Sequence, residues 1–72
     1  MSTAALRKAI DIAGGQTALA KLIGGVNQRH IWNWLNRDKQ VPAERVLAIE
    51  AALEGRVSRN ELRPDIYPDG VA

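Results

Sequence analysis

Apolar residues recur at every third or fourth position along most of the chain, the spacing that gathers them on one side of an α-helix. The first such series contains Leu6, Ile10 and Ala13, and Thr3 precedes it as a candidate N-cap. Gly14-Gly15 then ends the series, since glycine is common just past a helix C-terminus. No stretch of useful length alternates with a period of two residues. The pattern therefore predicts a helical protein.

Two further helices are predicted on either side of a second pair of glycines. One begins at Gln16 or Thr17 and ends before Gly24-Gly25. The next follows Asn27, whose side chain can accept a hydrogen bond from the first turn, and runs to about Asn36. At least one of the two glycines is expected to have a positive φ, which glycine tolerates. Two helices joined by so short a turn form a helix-turn-helix, in which the second helix enters the DNA major groove.

Two more helices are predicted for the remainder of the chain. Pro42 suits the first position of a fourth helix, which ends before Gly55. The segment Ser58-Arg59-Asn60-Glu61 has the spacing of a capping box for one short helical turn. The pattern thus predicts an all-α domain over residues 1–68, followed by a flexible tail at residues 69–72.

Length and composition narrow the class of protein. Seventy-two residues make one domain, and the contents of 46% hydrophobic and 25% charged residues are typical of a folded chain. Without cysteine there is no disulfide, thiolate nucleophile or zinc finger, and the single histidine, His30, is expected on the surface. No apolar run approaches the roughly 18 residues of a membrane span. We therefore expect a cytoplasmic protein that is not an enzyme and uses no cofactor, metal or small-molecule ligand.

The distribution of charge favours an anionic partner. The net charge is +2. Residues 16–45 contain five basic and two acidic residues, whereas residues 46–72 contain three basic and five acidic ones. The basic excess therefore coincides with the predicted helix-turn-helix, which suits a local surface for nucleic acid.

The predicted third helix has one apolar and one polar side. At about 100° per residue, Trp34 and Leu35 lie within roughly 60° of Ile31, so these three residues face the core. The opposite side and the first turn carry Gln28, Arg29, Trp32, Asn33 and Asn36. Side-chain amides and guanidinium groups form bidentate hydrogen bonds with adenine and guanine edges. The third helix is therefore predicted to read DNA.

Four motifs stand together between about Ala9 and Tyr67: AGGQTALAKLIGGVNQ, WNWLN, VPAERVLAIEAA and ELRPDIYP. In this combination the chain resembles the Cro/CI-type phage repressors, and most closely their YdaS-like branch of prophage-encoded regulators. The resemblance implies a compact, λ-repressor-like all-α domain of five helices that binds a palindromic operator as a dimer. The chain departs from the family pattern at two places. Its turn, Gly24-Gly25-Val26, is one residue longer than usual, and Trp32 stands where a small polar residue is common.

The predicted DNA contacts fall into two groups, which combine the helix geometry with what the resemblance implies. The residues expected to face bases are Gln28, Arg29, Trp32 and Asn33. The residues expected to contact phosphates are Gln16, Thr17, Asn27, Asn36, Arg37 and Lys39. For Gln16 and Asn27 the alternative role is helix capping. For Arg37 and Lys39 it is a solvated loop, and for Trp32 it is packing on the surface or contact with a protein partner.

The main functional hypothesis is a transcriptional repressor of double-stranded operator DNA. One recognition helix makes too few contacts for operator-level affinity, so we expect a homodimer on half-sites one DNA turn apart. Its contact is expected among apolar residues near the C-terminal end of the domain: Leu53, Val57, Leu62, Ile66 and Tyr67. One alternative is an antitoxin-like protein that binds the product of a neighbouring gene and autoregulates. Another is single-stranded RNA binding, although the chain lacks an aromatic stacking platform.

Overall fold

The computed structural model of the chain describes residues 3–68, and this range contains five α-helices and no strand. The helices are α1 (Ala4–Ala13), α2 (Gln16–Ile23), α3 (Gln28–Asn36), α4 (Ala43–Ala52) and α5 (Arg59–Leu62). The predicted all-α fold and its order of helices are confirmed. The tail predicted at residues 69–72 lies outside the described residues. Between residues 3 and 68, no helix has the length and hydropathy needed to cross a membrane.

Helix α2 is the centre of the packing. It contacts α1, α3 and α4, and the short α5 contacts α1 and α4. The core consists of Leu6, Ala9, Leu19, Ala20, Ile31, Trp34, Val41, Val46, Ile49, Leu53, Val57 and Leu62. Helix α3 contributes Ile31 and Trp34 to this core, and Leu35 packs against it, so the opposite side of α3 is left to contact a partner.

The turn between α2 and α3 depends on two glycines. Gly24 has φ +77° and ψ 149°, and Gly25 has φ +72°. Side-chain-bearing residues rarely adopt a positive φ, because their Cβ atom meets the backbone. The prediction that at least one of these glycines has a positive φ is confirmed, and in fact both have one. The longer turn is therefore built from two consecutive positions that favour glycine.

Two predicted helix starts differ in detail from the structure. Thr3 stands at the N-cap position of α1, but its side chain makes no capping hydrogen bond. Its hydroxyl oxygen instead accepts a hydrogen bond from Arg7 Nε at 3.2 Å. Pro42 is the N-cap of α4 and not its first helical residue, with an extended backbone at φ −60° and ψ 143°. Both positions lie within one residue of the prediction.

The predicted capping box of α5 is wrong. The Ser58 hydroxyl donates to Asn60 Oδ1 and makes no capping bond, while Glu61 forms an ion pair with a lysine on α1. The backbone N–H of Arg59, at the start of α5, donates to Glu50 Oε2 at 2.8 Å. A carboxylate of α4 therefore satisfies a free N–H of α5.

Two arginines hold α5 and the segment after it in place. Glu50 Oε1 accepts hydrogen bonds from Arg59 Nη2 at 2.7 Å and from Nε at 3.1 Å. Arg63 forms a bidentate pair with Asp65, at 2.9 and 2.7 Å, and its Nη1 donates to the carbonyl of Val41 at 2.8 Å. The side chain of Arg63 is only 12% exposed. These bonds tie the C-terminal segment to α4 and to the loop before it.

We expect the stability of the domain to fall when the pH drops below 4.5. Hydrogen bonds from Arg59 and Arg63 hold the pKa values of Glu50 and Asp65 below their usual values of 4.5 and 3.8. The unfolded chain therefore binds these protons more tightly, so the stabilisation is complete above pH 4.5 and is lost as the pH falls through the folded-state values. Urea midpoints between pH 7 and pH 3 measure this loss. The double variant Glu50→Gln, Asp65→Asn should show a smaller fall, and an equal fall would contradict the expectation.

Three of the five residues predicted to form the dimer contact are buried in the core. Leu53, Val57 and Leu62 are at most 4% exposed and belong to the core, in the region where α5 packs on α1 and α4. The expectation that these three residues form free apolar surface is therefore wrong. Tyr67 packs against the core and is half-buried, and Ile66 is 42% exposed. The dimer contact itself stays a prediction, with Ile66 as its most exposed member.

Candidate nucleic-acid interface

The N-terminus of α3 is fixed by a capping box. Asn27 Oδ1 accepts a hydrogen bond from the His30 backbone N–H at 3.3 Å, and His30 Nδ1 accepts one from the Asn27 N–H at 3.1 Å. The predicted capping role of Asn27 is confirmed. The capping role of His30 was not predicted from the sequence, because Glu or Gln is the usual third residue of such a box. The sequence feature that indicates this box is the position of His30 three residues after Asn27. The phosphate contact of Asn27 stays a prediction.

The four residues predicted to face bases form one surface. Gln28, Arg29, Trp32 and Asn33 line a shallow concavity on the outer side of α3. Within residues 3–68, no carboxylate forms an ion pair with Arg29. The Trp32 side chain is 49% exposed, so its indole is available to a partner. The surface therefore presents hydrogen-bonding groups around one aromatic ring.

A hydrogen bond links the first residues of the two helices of the helix-turn-helix. Gln28 Nε2 donates to Gln16 Oε1, with 2.5 Å between the two atoms. Gly15 occupies the N-cap position of α2 and Gln16 is its first helical residue, so the alternative of N-capping by Gln16 does not apply. Because this bond uses the oxygen of Gln16, the amide group of Gln16 keeps its donors for another acceptor. Both residues are predicted DNA contacts, but the hydrogen bond between them was not predicted from the sequence.

The structure distinguishes among the remaining predicted phosphate contacts. Thr17 is exposed in the first turn of α2. The Asn36 amide donates to a backbone carbonyl one turn earlier in α3, at 3.1 Å. Arg37 Nε pairs with Asp38 Oδ1 at 3.2 Å, so its charge is partly compensated. Lys39 forms no ion pair within the described part of the chain, and its φ of +60° turns the exposed loop between α3 and α4. Lys39 is therefore the uncompensated cation of this loop.

Comparison with known proteins relates this helix-turn-helix to a family. The family described as "Bacterial toxin YdaS" matches residues 6–71, which include every predicted DNA contact. The chain belongs to the YdaS family. The YdaS-like resemblance seen in the sequence is therefore confirmed. No solved structure gives a significant match to the chain.

One curated YdaS relative is informative about function. The protein named "Putative transcriptional regulator YdaS" from Escherichia coli (strain K12) is 45% identical over 60 residues. These residues make up 83% of this chain and 60% of the relative, so the chain spans about 60% of the length of that protein. The name of the relative describes a regulator, whereas the description of the YdaS family names a toxin.

Proposed function

We propose that this chain is a transcriptional regulator that inserts α3 into the major groove of double-stranded DNA. The observation that carries the proposal is the composition of the outer side of α3, where Gln28, Arg29, Trp32 and Asn33 lie together. A helix face that only meets solvent is usually rich in Glu and Lys, and α3 contains neither. The name of the relative, a transcriptional regulator, supports the same function.

The contacts within the helix-turn-helix suggest how the sequence would be read. The guanidinium of Arg29 suits O6 and N7 of guanine, and the amides of Gln28 and Asn33 suit N6 and N7 of adenine. The hydrogen bond from Gln28 to Gln16 restricts the rotamers of both side chains. The remaining amide donors of Gln16 would then bind a phosphate, which fixes the position of α3 on the duplex without reading sequence.

In its finer form, the proposal is a Cro-like repressor. Two copies would occupy the half-sites of a palindromic operator, one DNA turn apart, and obstruct the polymerase. The protein would act in the cytoplasm, as a homodimer formed on DNA, without enzymatic activity or a cofactor. Ile66 remains the exposed residue of the predicted dimer contact.

A role in a toxin–antitoxin pair is the second candidate function, and the description of the family favours it. In this role the chain would bind the product of a neighbouring gene and regulate its own promoter. Co-purification with that product separates the two candidates, because a simple repressor binds its operator without it. A stable complex whose formation changes operator binding would support the second candidate.

Selection of bound sites from random duplex DNA tests the proposed function. We expect one enriched palindrome with half-sites about 10 base pairs apart. A mobility shift with the selected duplex and with its separate strands then compares the two forms of nucleic acid. The absence of any enriched duplex, or tighter binding to a single strand, would contradict the proposal.

Lys39 and Gln16 provide a comparison between charged and neutral phosphate contacts. Lys39→Ala removes an uncompensated charge, so the slope of log K against log salt concentration should decrease by about 0.9 per subunit. Gln16→Ala removes neutral donors, so it should weaken binding to all duplexes with an unchanged slope. The loss should be larger on the operator, because this variant also breaks the hydrogen bond that orients Gln28. Titrations of operator and scrambled duplex over a salt series measure both effects. An unchanged slope for Lys39→Ala would place Lys39 in a solvated loop.

A further inference from the structure

Arg45 lies against the turn of the helix-turn-helix, although it belongs to α4. Its Nη1 atom is 3.7 Å from the position that a Cβ atom would take on Gly25. The residue is half-buried, and its guanidinium lies at the turn. From its sequence position near the start of α4, Arg45 is expected to have only a local role in capping and charging its own helix. The contact with the turn links it instead to the start of α3.

The guanidinium of Arg45 has no partner in the described part of the chain. No hydrogen bond or ion pair is formed by its side chain there. Arg63, the other half-buried arginine, shows the contrast, because it donates both to a carboxylate and to a backbone carbonyl. The cations that pair with carboxylates are Lys8, Arg37, Arg59 and Arg63. Arg45 therefore keeps its full charge and its donors for a partner outside the chain.

The position of Arg45 indicates what this partner is. Gly25 precedes Asn27 by two residues, a distance of at most about 7 Å along the backbone. Asn27 caps α3, whose outer side is the proposed DNA-reading surface. A guanidinium group matches the oxygens of a phosphate with two parallel donors. A phosphate of the DNA strand that flanks α3 would therefore lie within reach of Arg45.

We propose that Arg45 binds a backbone phosphate of duplex DNA beside the N-terminus of α3. This inference rests on the proposed function. It adds α4 to the elements that hold the duplex, which otherwise are α2, α3 and the loop after α3. The contact carries no base preference, because every nucleotide presents the same phosphate. It fixes the orientation of the helix-turn-helix on the duplex from the side of the turn.

Arg45→Met tests the proposal, because methionine keeps an unbranched apolar side chain against the turn and removes the charge. We expect the affinity for operator and scrambled duplex to fall by a similar factor, on the order of tenfold for one charge-assisted contact. The slope of log K against log salt concentration should decrease by about 0.9 per subunit. Arg56→Met is the matched control, since Arg56 is an exposed arginine four residues after the C-terminus of α4 that forms no ion pair within residues 3–68. This control should retain the wild-type affinity and slope.

Arg45→Lys separates the charge from the geometry of the guanidinium. It should keep the wild-type salt slope and lose part of the affinity. If Arg45 only stabilises the turn, Arg45→Met will lower the melting temperature and the affinity while leaving the slope unchanged, which would overturn the proposal. A wild-type chain that binds duplex DNA while Arg45→Met and Arg56→Met behave alike would overturn it too, without affecting the proposed function. A wild-type chain that binds no duplex overturns both.

Discussion

Replacing Arg29 with alanine is expected to weaken operator binding and to relax the base preference at one position of each half-site. Arg29 is exposed in the first turn of α3, on the same concave surface as Trp32 and Asn33. No carboxylate of the described chain competes for its guanidinium. A bidentate contact with guanine discriminates against the wrong base by about 1–3 kcal/mol, and a dimer makes this contact twice.

The measurement is a salt series with operator and scrambled duplex for each variant. Arg29→Lys is the matched control, because lysine keeps the charge but lacks the planar pair of donors. We expect Arg29→Lys to retain the salt slope and to lose most of the discrimination. Arg29→Ala should lose the discrimination and also lower the slope, because it removes a charge. Equal losses of affinity on operator and scrambled duplex would make Arg29 a phosphate contact. Base reading would then rest on Gln28 and Asn33.

The parts of the fold that depend on local pattern could be predicted from the sequence. The bounds of α2 and α3 follow from glycine pairs and from the Asn27 cap, and the orientation of α3 follows from its three apolar residues. The C-terminal part could not be predicted in the same way. Whether Leu53 and Val57 are exposed depends on where α5 packs, and this contact joins distant parts of the chain. The carboxylate that caps α5 also comes from another helix.

In the candidate site too, features within one helix could be predicted from the sequence, whereas contacts between helices could not. A helical wheel identifies the outer side of α3, because all of its members belong to one helix. Contacts between helices are different, since they depend on the conformation of the turn. The hydrogen bond from Gln28 to Gln16 and the approach of Arg45 to Gly25 could therefore be found only in the structure. In both cases the sequence offers suitable residues without indicating that they meet.

For Trp32, the exposure could be predicted from the sequence but the function could not. Its exposure was predicted from the wheel, and the structure agrees, with the side chain 49% exposed among Gln28, Arg29 and Asn33. Its function as a base contact stays a prediction, because an exposed indole also suits a protein partner. Trp32→Ala in the operator titration and in the co-purification experiment distinguishes the two roles, since each role predicts a loss in only one of them.

The largest effect on stability is expected for Gly24→Val. Gly24 has φ +77° and ψ 149°, a region of backbone conformation that is essentially restricted to glycine. Apart from the two neighbouring residues, no heavy atom of the described chain lies within 4 Å of a Cβ built at this position, so the added Cβ meets no clash and the expected cost is backbone strain. We expect a loss of about 1–3 kcal/mol, with valine toward the upper end because its branched Cβ restricts the backbone further. In a domain of this size, each kcal/mol lowers the melting temperature by about 4–8 °C.

Gly25→Val is the matched comparison. Its φ of +72° is also unfavourable, and the nearest atom to an added Cβ, Arg45 Nη1, is at an ordinary contact distance of 3.7 Å. Thermal melts of both variants therefore compare backbone strain at two adjacent positions, with no clash of the added Cβ atom at either.

The Gln16–Gln28 hydrogen bond joins the two helices on either side of this turn, so a shifted turn also breaks that bond. The valine variants should then lose operator preference even at temperatures where they remain folded. If both variants melt at the wild-type temperature, the conformation of the turn is not the one described.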